Sequence, residues 1–190
     1  GNISDWYSLT NEMAERAYNI EGSAYHPTLL VNAHMLHFGD VNKGSDDVSL
    51  NNVDMWGHNT FPGLNFNCYF DYYDTISAKP LIFTEFGVDA LNNSNGNEYQ
   101  EVQSEWVVNQ WQQLKNRSLG GTVFEYSDEW WKAGNPFTHD TGGYYADVQP
   151  DNFANEEWWV ITALQDNGNL PDIIITRQVY FDLANEFEAF

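Results

Sequence analysis

Carboxylates set beside aromatic rings are the residues of this sequence with the most chemistry to offer. Glu85 closes the run Pro80-Leu81-Ile82-Phe83-Thr84-Glu85-Phe86-Gly87, whose apolar stretch reads as a strand buried on both faces. Gly87 permits a tight exit into the Asn-rich segment that follows. A carboxylate at the C-terminal end of a buried parallel strand stands where α/β enzymes place their chemistry. The other reading is a charge that marks where the strand leaves the core. Glu125, Asp128 and Glu129 crowd the end of another strand, Thr122–Tyr126, just before Trp130, Trp131 and Lys132. With its pKa raised by its neighbours, Glu125 would donate a proton; otherwise the three carboxylates bind ligand hydroxyls or pin loops.

Other polar clusters carry weaker signals. His34 and His37 fall on opposite faces of a strand; with His58 they would ligate a metal or, more simply, line a cleft or sit satisfied in its wall. Asp40, Asp46 and Asp47 offer oxygen ligands without EF-hand spacing. No nucleophile-elbow, phosphate-loop or dinucleotide fingerprint is present.

The elements that must position these residues follow from periodicity. Ser4 or Asp5 is expected to cap a helix to about Gly22, with Trp6, Leu9, Met13, Ala17 and Ile20 in one apolar stripe and Asn11-Glu12 on solvated surface. Thr28–Met35 and Val53–Asn59 read as strands, Asn67–Ser77 as a short helix, and Glu98–Asn116 as a long helix stopped by Gly120-Gly121. A long loop covers about 132–155, Glu156–Leu164 a short helix, and about 174–188 a closing helix. Strands alternating with helices or long crossovers imply parallel neighbours and an α/β fold in one domain, 1–190.

Composition narrows the partners. Net charge is −21, from 28 acidic and 7 basic residues, which argues against nucleic acid or an anionic membrane surface. Such a chain suits a neutral substrate, including in salty surroundings where its self-repulsion is screened. Eight Trp and eleven Tyr supply platforms for flat, partly apolar ligands such as sugar rings. No apolar run approaches the roughly 18 residues of a membrane span. Cys68 stands alone, so no intrachain disulfide is expected. Sequons at Asn2, Asn92 and Asn116, and a first residue Gly1 without a leader-like segment, suggest a secreted, extracellular chain that is processed or a fragment.

Taken together, the strand ends resemble the second half of a (β/α)8 glycoside hydrolase. The type is the large clan with β-galactosidase-, β-glucuronidase- and cellulase-like members. His26-Pro27 before a strand looks like the fifth strand of that family, VDMWGHNTFPG (Val53–Gly63) the sixth, and PLIFTEFG (Pro80–Gly87) the seventh. GGTVFEYSDEWWK (Gly120–Lys132) is similar to the eighth and its exit loop. QPDNFANEEWW (Gln149–Trp159) and TRQVYFDL (Thr176–Leu183) extend the likeness over nearly the whole chain.

The resemblance implies that Glu85 is the nucleophile of a retaining glycosidase, and that Trp130 or Trp131 is a platform beneath the sugar. In that mechanism an ionised carboxylate attacks the anomeric carbon while a second carboxyl, about 5 Å away, protonates the leaving oxygen. The family's acid/base follows an Asn at the end of the fourth strand. The Asn-Glu pairs here, at 11–12, 97–98, 155–156 and 185–186, end no apolar strand, so none takes that role. Phe61 stands closest to where many relatives have a Tyr, and strands one to four have no counterpart.

The expectation is therefore the C-terminal half (strands five to eight) of a barrel glycosidase or transglycosylase acting on β-linked saccharides. Glu85 is catalytic; Trp130, Trp131, Asn59, His34, Glu125, Asp128 and Glu129 are substrate-binding. No metal or cofactor is called for. The partner is a carbohydrate, together with a missing N-terminal half-barrel or a second copy. A non-enzymatic carbohydrate-binding or structural protein on a degenerate barrel is the alternative.

Overall fold

The structure is a computed structural model and describes residues 2–188. The main helices are α1 (Ile3–Glu21), α2 (Tyr69–Ile76), α3 (Gln100–Leu114) and α4 (Gln178–Glu188). The strands β1 (Leu29–Asn32), β2 (Met55–Asn59) and β3 (Leu81–Phe86) precede a short antiparallel pair, β4 (Leu91–Asn92) with β5 (Asn97–Glu98). After β6 (Gly121–Val123) come two more antiparallel pairs, β7 (Tyr144–Tyr145) with β8 (Phe153–Ala154), and β9 (Thr162–Gln165) with β10 (Ile173–Thr176). The principal sheet has four strands in the order β1-β2-β3-β6. Strands β1 and β2 are parallel, Leu29 opposite Met55 and Asn32 opposite His58. Bonds from Leu119 N to Leu81 O, Phe83 N to Gly120 O and Phe124 N to Phe86 O rise together along both segments, so β3 and β6 are parallel too. The fold is α/β.

The chain resolves into two compact units. The first comprises residues 1–60, 67–84 and 115–121. Its interior is aromatic because short strands must bury wide side chains to exclude water. Phe83, fully buried, meets Tyr69 and Phe70 at ring separations of 5.4 and 5.8 Å, and Phe38 packs edge-on against Trp56 at 4.7 Å.

Helix α1 departs from its sequence reading in two ways. Asn2, rather than Ser4 or Asp5, is the N-cap, its side chain accepting from Ser4 N. The buried face carries Tyr7 and Ala14, while Trp6, Leu9, Met13 and Ile20 of the apolar stripe are exposed. Asn11 is not idle surface either, since its amide bonds Asn51 Oδ1 and Asn52 N at 3.0 and 2.8 Å. Strand β1 is shorter than expected and stands at the sheet's edge, so Leu30 is buried while Leu29 and Val31 lie open.

The second unit comprises residues 61–66, 85–114 and 122–190. Helix α3 runs beside α4, with Trp111 edge-on to Phe187 at 4.9 Å and Ser104 Oγ donating to Asp182. Its inner face is Gln103, Ser104, Val107, Gln110 and Leu114. The polar residues are inside because loops there present bare carbonyls. Gln103 Nε2 donates to Val88 O and Val160 O at 3.1 and 3.2 Å, and Gln110 Nε2 to Gly63 O at 2.6 Å.

The C-terminal region corrects two expectations. The helix expected over 156–164 is one short turn, Glu156–Trp158, followed by β9. The closing helix starts at Gln178, because Ile173–Thr176 pairs with β9. A β-branched run favours the extended chain over the helix.

Replacing Phe83 with Ala should lower stability by about 3–5 kcal/mol in urea unfolding, the usual cost of a large buried ring. A loss below about 1 kcal/mol would mean that the aromatic centre is not tightly packed.

Candidate active site

Glu85 lies half-buried near the end of β3, where that strand meets β6. Phe124 N donates to Phe86 O at 2.8 Å, and a Cβ on Gly87 would come within 2.5 Å of Phe124 O. Only glycine allows this approach, and it brings the chain bearing Glu85 beside the chain bearing Glu125. Phe61 packs at 4.1 Å from Trp159 and 5.9 Å from Phe124, forming an apolar flank to the second strand end.

Lys132 organises the carboxylates after β6. Its Nζ lies 2.9 Å from Glu125 Oε1 and 2.7 Å from Glu129 Oε2, and 4.0 Å from the centre of the Phe124 ring. Burial pushes the Glu125 carboxyl up to about 7, against the opposing pull of Lys132 and with the help of the Glu129 charge. Glu129, more exposed and bonded to Lys132, is held below its ordinary value. Of the two, Glu125 is the carboxyl that takes up a proton more readily. Trp131 projects into solvent with 67% of its surface exposed, whereas Trp130 is half-buried with its ring 5.6 Å from His139.

Asp128 plays another part. Its side chain is wholly buried and accepts from Arg177 Nη1 at 3.0 Å and from Leu164 N at 2.9 Å. Arg177, also fully buried, reaches Glu98 Oε1 at 2.8 Å and Val160 O at 3.1 Å, and lies over the Trp158 ring. His139 stacks on Trp158 at 3.7 Å, and Glu157 accepts from Ala133 N and Asp140 N. The buried guanidinium holds Glu98 below the usual carboxylate range despite its partial burial. Asp128 thus braces the loop that carries Trp130 and Trp131, out of reach of solvent. Arg177 escaped sequence reasoning. The available signal was its isolation, as the one cation after Lys132 in so acidic a chain.

Two expected site residues belong to the first unit. Asn59 ends β2 and accepts from Thr84 Oγ1 at 2.6 Å, and His34 follows β1 with its side chain exposed. His58 is buried, bonded to Tyr69 OH at 2.5 Å, and burial pulls its pKa down to about 4. Asp40 pairs with Lys43, Asp46 closes a turn onto Val48 N and Ser49 N, and Asp47 accepts from Ser77 and Ala78. Among the described residues no group of three or more His, Cys, Asp or Glu could hold a metal ion. A surface cleft of about 410 Å³ at Lys79–Leu81 and Asn116–Leu119 lies at the N-terminal start of β3, the far end of the strand from Glu85.

The fold has counterparts among solved structures. An active-site mutant of the Rhizomucor miehei β-1,3-glucanosyltransferase in complex with laminaritriose matches 83% of this chain at 11% identity and a TM-score of 0.54. The Ruminococcus gnavus β-glucuronidase in complex with D-glucuronic acid matches 95% at 13% identity and a TM-score of 0.56. The likeness is one of fold. The chain spans 53% of the transferase chain and 29% of the glucuronidase chain. No family model and no curated protein sequence matches the chain.

One buried acid beyond Gly87 makes the second unit pH-sensitive. Asp89 is fully buried, accepts from Leu91 N and Asn155 N, and is pushed up to about 7 by burial. A carboxyl raised in the folded state favours folding while protonated. That advantage is complete below its ordinary value of 3.8 and is lost as pH rises through about 7. Asp89→Asn should therefore flatten the fall in stability between pH 4 and 8 by about 2–4 kcal/mol, measured as unfolding free energy against pH. An unchanged slope would mean that Asp89 ionises as freely folded as unfolded.

Proposed function

We propose that this chain is the C-terminal half, strands five to eight, of a (β/α)8 retaining β-glycosidase or transglycosylase domain. Strands β1, β2, β3 and β6 take the places of those four strands. The carrying observation is the strand-end arrangement: Glu85 at the end of β3, with β6 beside it leading into Glu125, Glu129 and the exposed Trp131. Glu85 attacks the anomeric carbon as an ionised carboxylate. Trp131, and Trp130 beside it, support the apolar face of the sugar. Glu125 and Glu129 bind its hydroxyls. The saccharide is β-linked, and the protein acts outside the cell. No helix among the described residues is long and apolar enough to cross a membrane.

The acid/base comes from outside this chain. Glu12 pairs with Arg16 on α1, Glu98 binds Arg177, Glu156 begins a turn after β8, and Glu186 lies on α4. None ends a strand of the main sheet. A preceding half-barrel supplies the missing carboxyl, and the exposed stripe Trp6, Leu9, Met13 and Ile20 with the open edge of β1 is where it docks. The same observation favours a second reading, a carbohydrate-binding protein that keeps the cleft and lacks half the chemistry.

In size-exclusion chromatography the isolated 190-residue chain should run as an oligomer or fail to stay soluble. A compact monomer would remove the case for a partner half.

Glu85→Gln keeps shape and hydrogen bonding but removes the nucleophilic charge. Turnover by the full-length protein should fall by several orders of magnitude with little loss of sugar binding. An activated fluoro-sugar should label Glu85 and leave Glu125 and Glu129 untouched. Label on Glu125 would move the nucleophile to β6, and normal turnover in the Gln variant would return Glu85 to a structural role.

A further inference from the structure

The three sequons are motifs that the proposed chemistry does not use, and the fold treats them differently. Asn2 caps α1, its side-chain oxygen accepting from Ser4 N at 3.4 Å. Asn92 is half-buried in β4, where its Oδ1 accepts from Ser94 N at 2.9 Å and from Ser94 Oγ at 2.5 Å. Its strand pairs with β5, and the next residue, Asn93, donates to Asp151 through N and Nδ2 at 2.7 and 3.2 Å. A bulky group on Asn92 would have to enter this stitched hairpin.

Asn116 is placed otherwise. It lies exposed in the turn between α3 and β6, outside any helix or strand. Arg117 fills the middle position, which must not be Pro, and Ser118 supplies the hydroxyl that the motif requires. Arg117 Nη2 ties the turn to α2 through Asp71 and Asp74 at 3.2 and 3.0 Å, with all three side chains exposed. Ion pairs so open to water hold a turn weakly, so this segment opens to an enzyme at little cost. Asn116 also borders the cleft of about 410 Å³, beside Lys79, Pro80, Ser118 and the exposed Leu119. A first sugar on its Nδ2 has room there without displacing a helix or strand. The attachment point and Glu85 stand toward opposite ends of β3.

We propose that Asn116 is an N-glycosylation site, its donor an oligosaccharide joined through pyrophosphate to a lipid carrier. The proposal rests on the extracellular reading of the chain and extends it. In the transfer, Asn116 Nδ2 attacks the anomeric carbon of the donor. The bond from that carbon to the pyrophosphate oxygen breaks, and the lipid pyrophosphate leaves with the electron pair. Nδ2 gives up one proton to the transferase, and nothing is oxidised or reduced. The product is a neutral amide, so the glycan solvates the surface beside Leu119 without altering the charge of −21.

The test produces the full-length protein through a eukaryotic secretory route behind an added leader and maps its peptides by mass spectrometry. Glycan release by peptide-N-glycosidase in heavy-oxygen water marks each occupied Asn as labelled Asp. Asn116 should be labelled in more than about half of the secreted wild-type molecules, and Asn92 in fewer than about a tenth. Asn116→Gln should remove the corresponding glycan mass from the intact protein. Ser118→Ala should abolish the label on Asn116, and Ser118→Thr, which keeps the hydroxyl, should retain it. Secreted wild type with Asn116 unoccupied would overturn the proposal, as would occupancy that survives Ser118→Ala or that is equal on Asn92. Should the variants misfold, the wild-type map decides alone. Native protein found only inside the cell would sink the extracellular reading and leave this map unaffected.

Discussion

The buried guanidinium of Arg177 is the constraint on which the second unit depends. Two carboxylates, Asp128 and Glu98, converge on it from a loop after β6 and from β5, while the Val160 carbonyl accepts a further bond. A charge fully out of water is tolerable only with such complete pairing. Removing one partner would strand the other, so the loop, the hairpin and the start of α4 stand or fall together. The loop in question carries Trp130 and Trp131. Their position is thus set by a charge cluster several residues away, and the loop that carries them is as rigid as the ion pairs behind it.

Much of the fold was legible because its signals are local. Leu81-Ile82-Phe83 announced β3, and the alternation of strand and helix announced a parallel sheet. Asn2 instead of Ser4 at the helix start, and Ile173–Thr176 as strand instead of helix, were decided by neighbours. A cap is chosen by which side chain reaches an amide. A β-branched run becomes a strand when another strand lies alongside.

The residue types of the candidate site were legible, and their environments were not. Glu125, Asp128 and Glu129 look alike in sequence, yet one is half-buried with its pKa raised, one is sealed in an ion pair, and one is held ionised by Lys132. Only burial distinguishes them, and burial is a property of the whole packing. The same holds for His34 and His58, one open and one pressed against Tyr69. Arg177 escaped because a lone cation gives no periodic signal; its meaning lies in residues about fifty and eighty positions earlier.

Helix α3 shows what two inward amides do that oil cannot. Gln103 and Gln110 are seven residues apart, close to two turns, so they share one azimuth on the helix. An apolar face turned by one residue still buries comparable area. The amides do not allow it: such a turn, about 100°, swings both off the carbonyls of Val88, Val160 and Gly63 at once. They fix the helix's phase, as a vernier fixes a scale, and leave the apolar contacts to supply its adhesion to neighbours such as α4. Many sequences could make this helix adhere; these two glutamines decide where it stops.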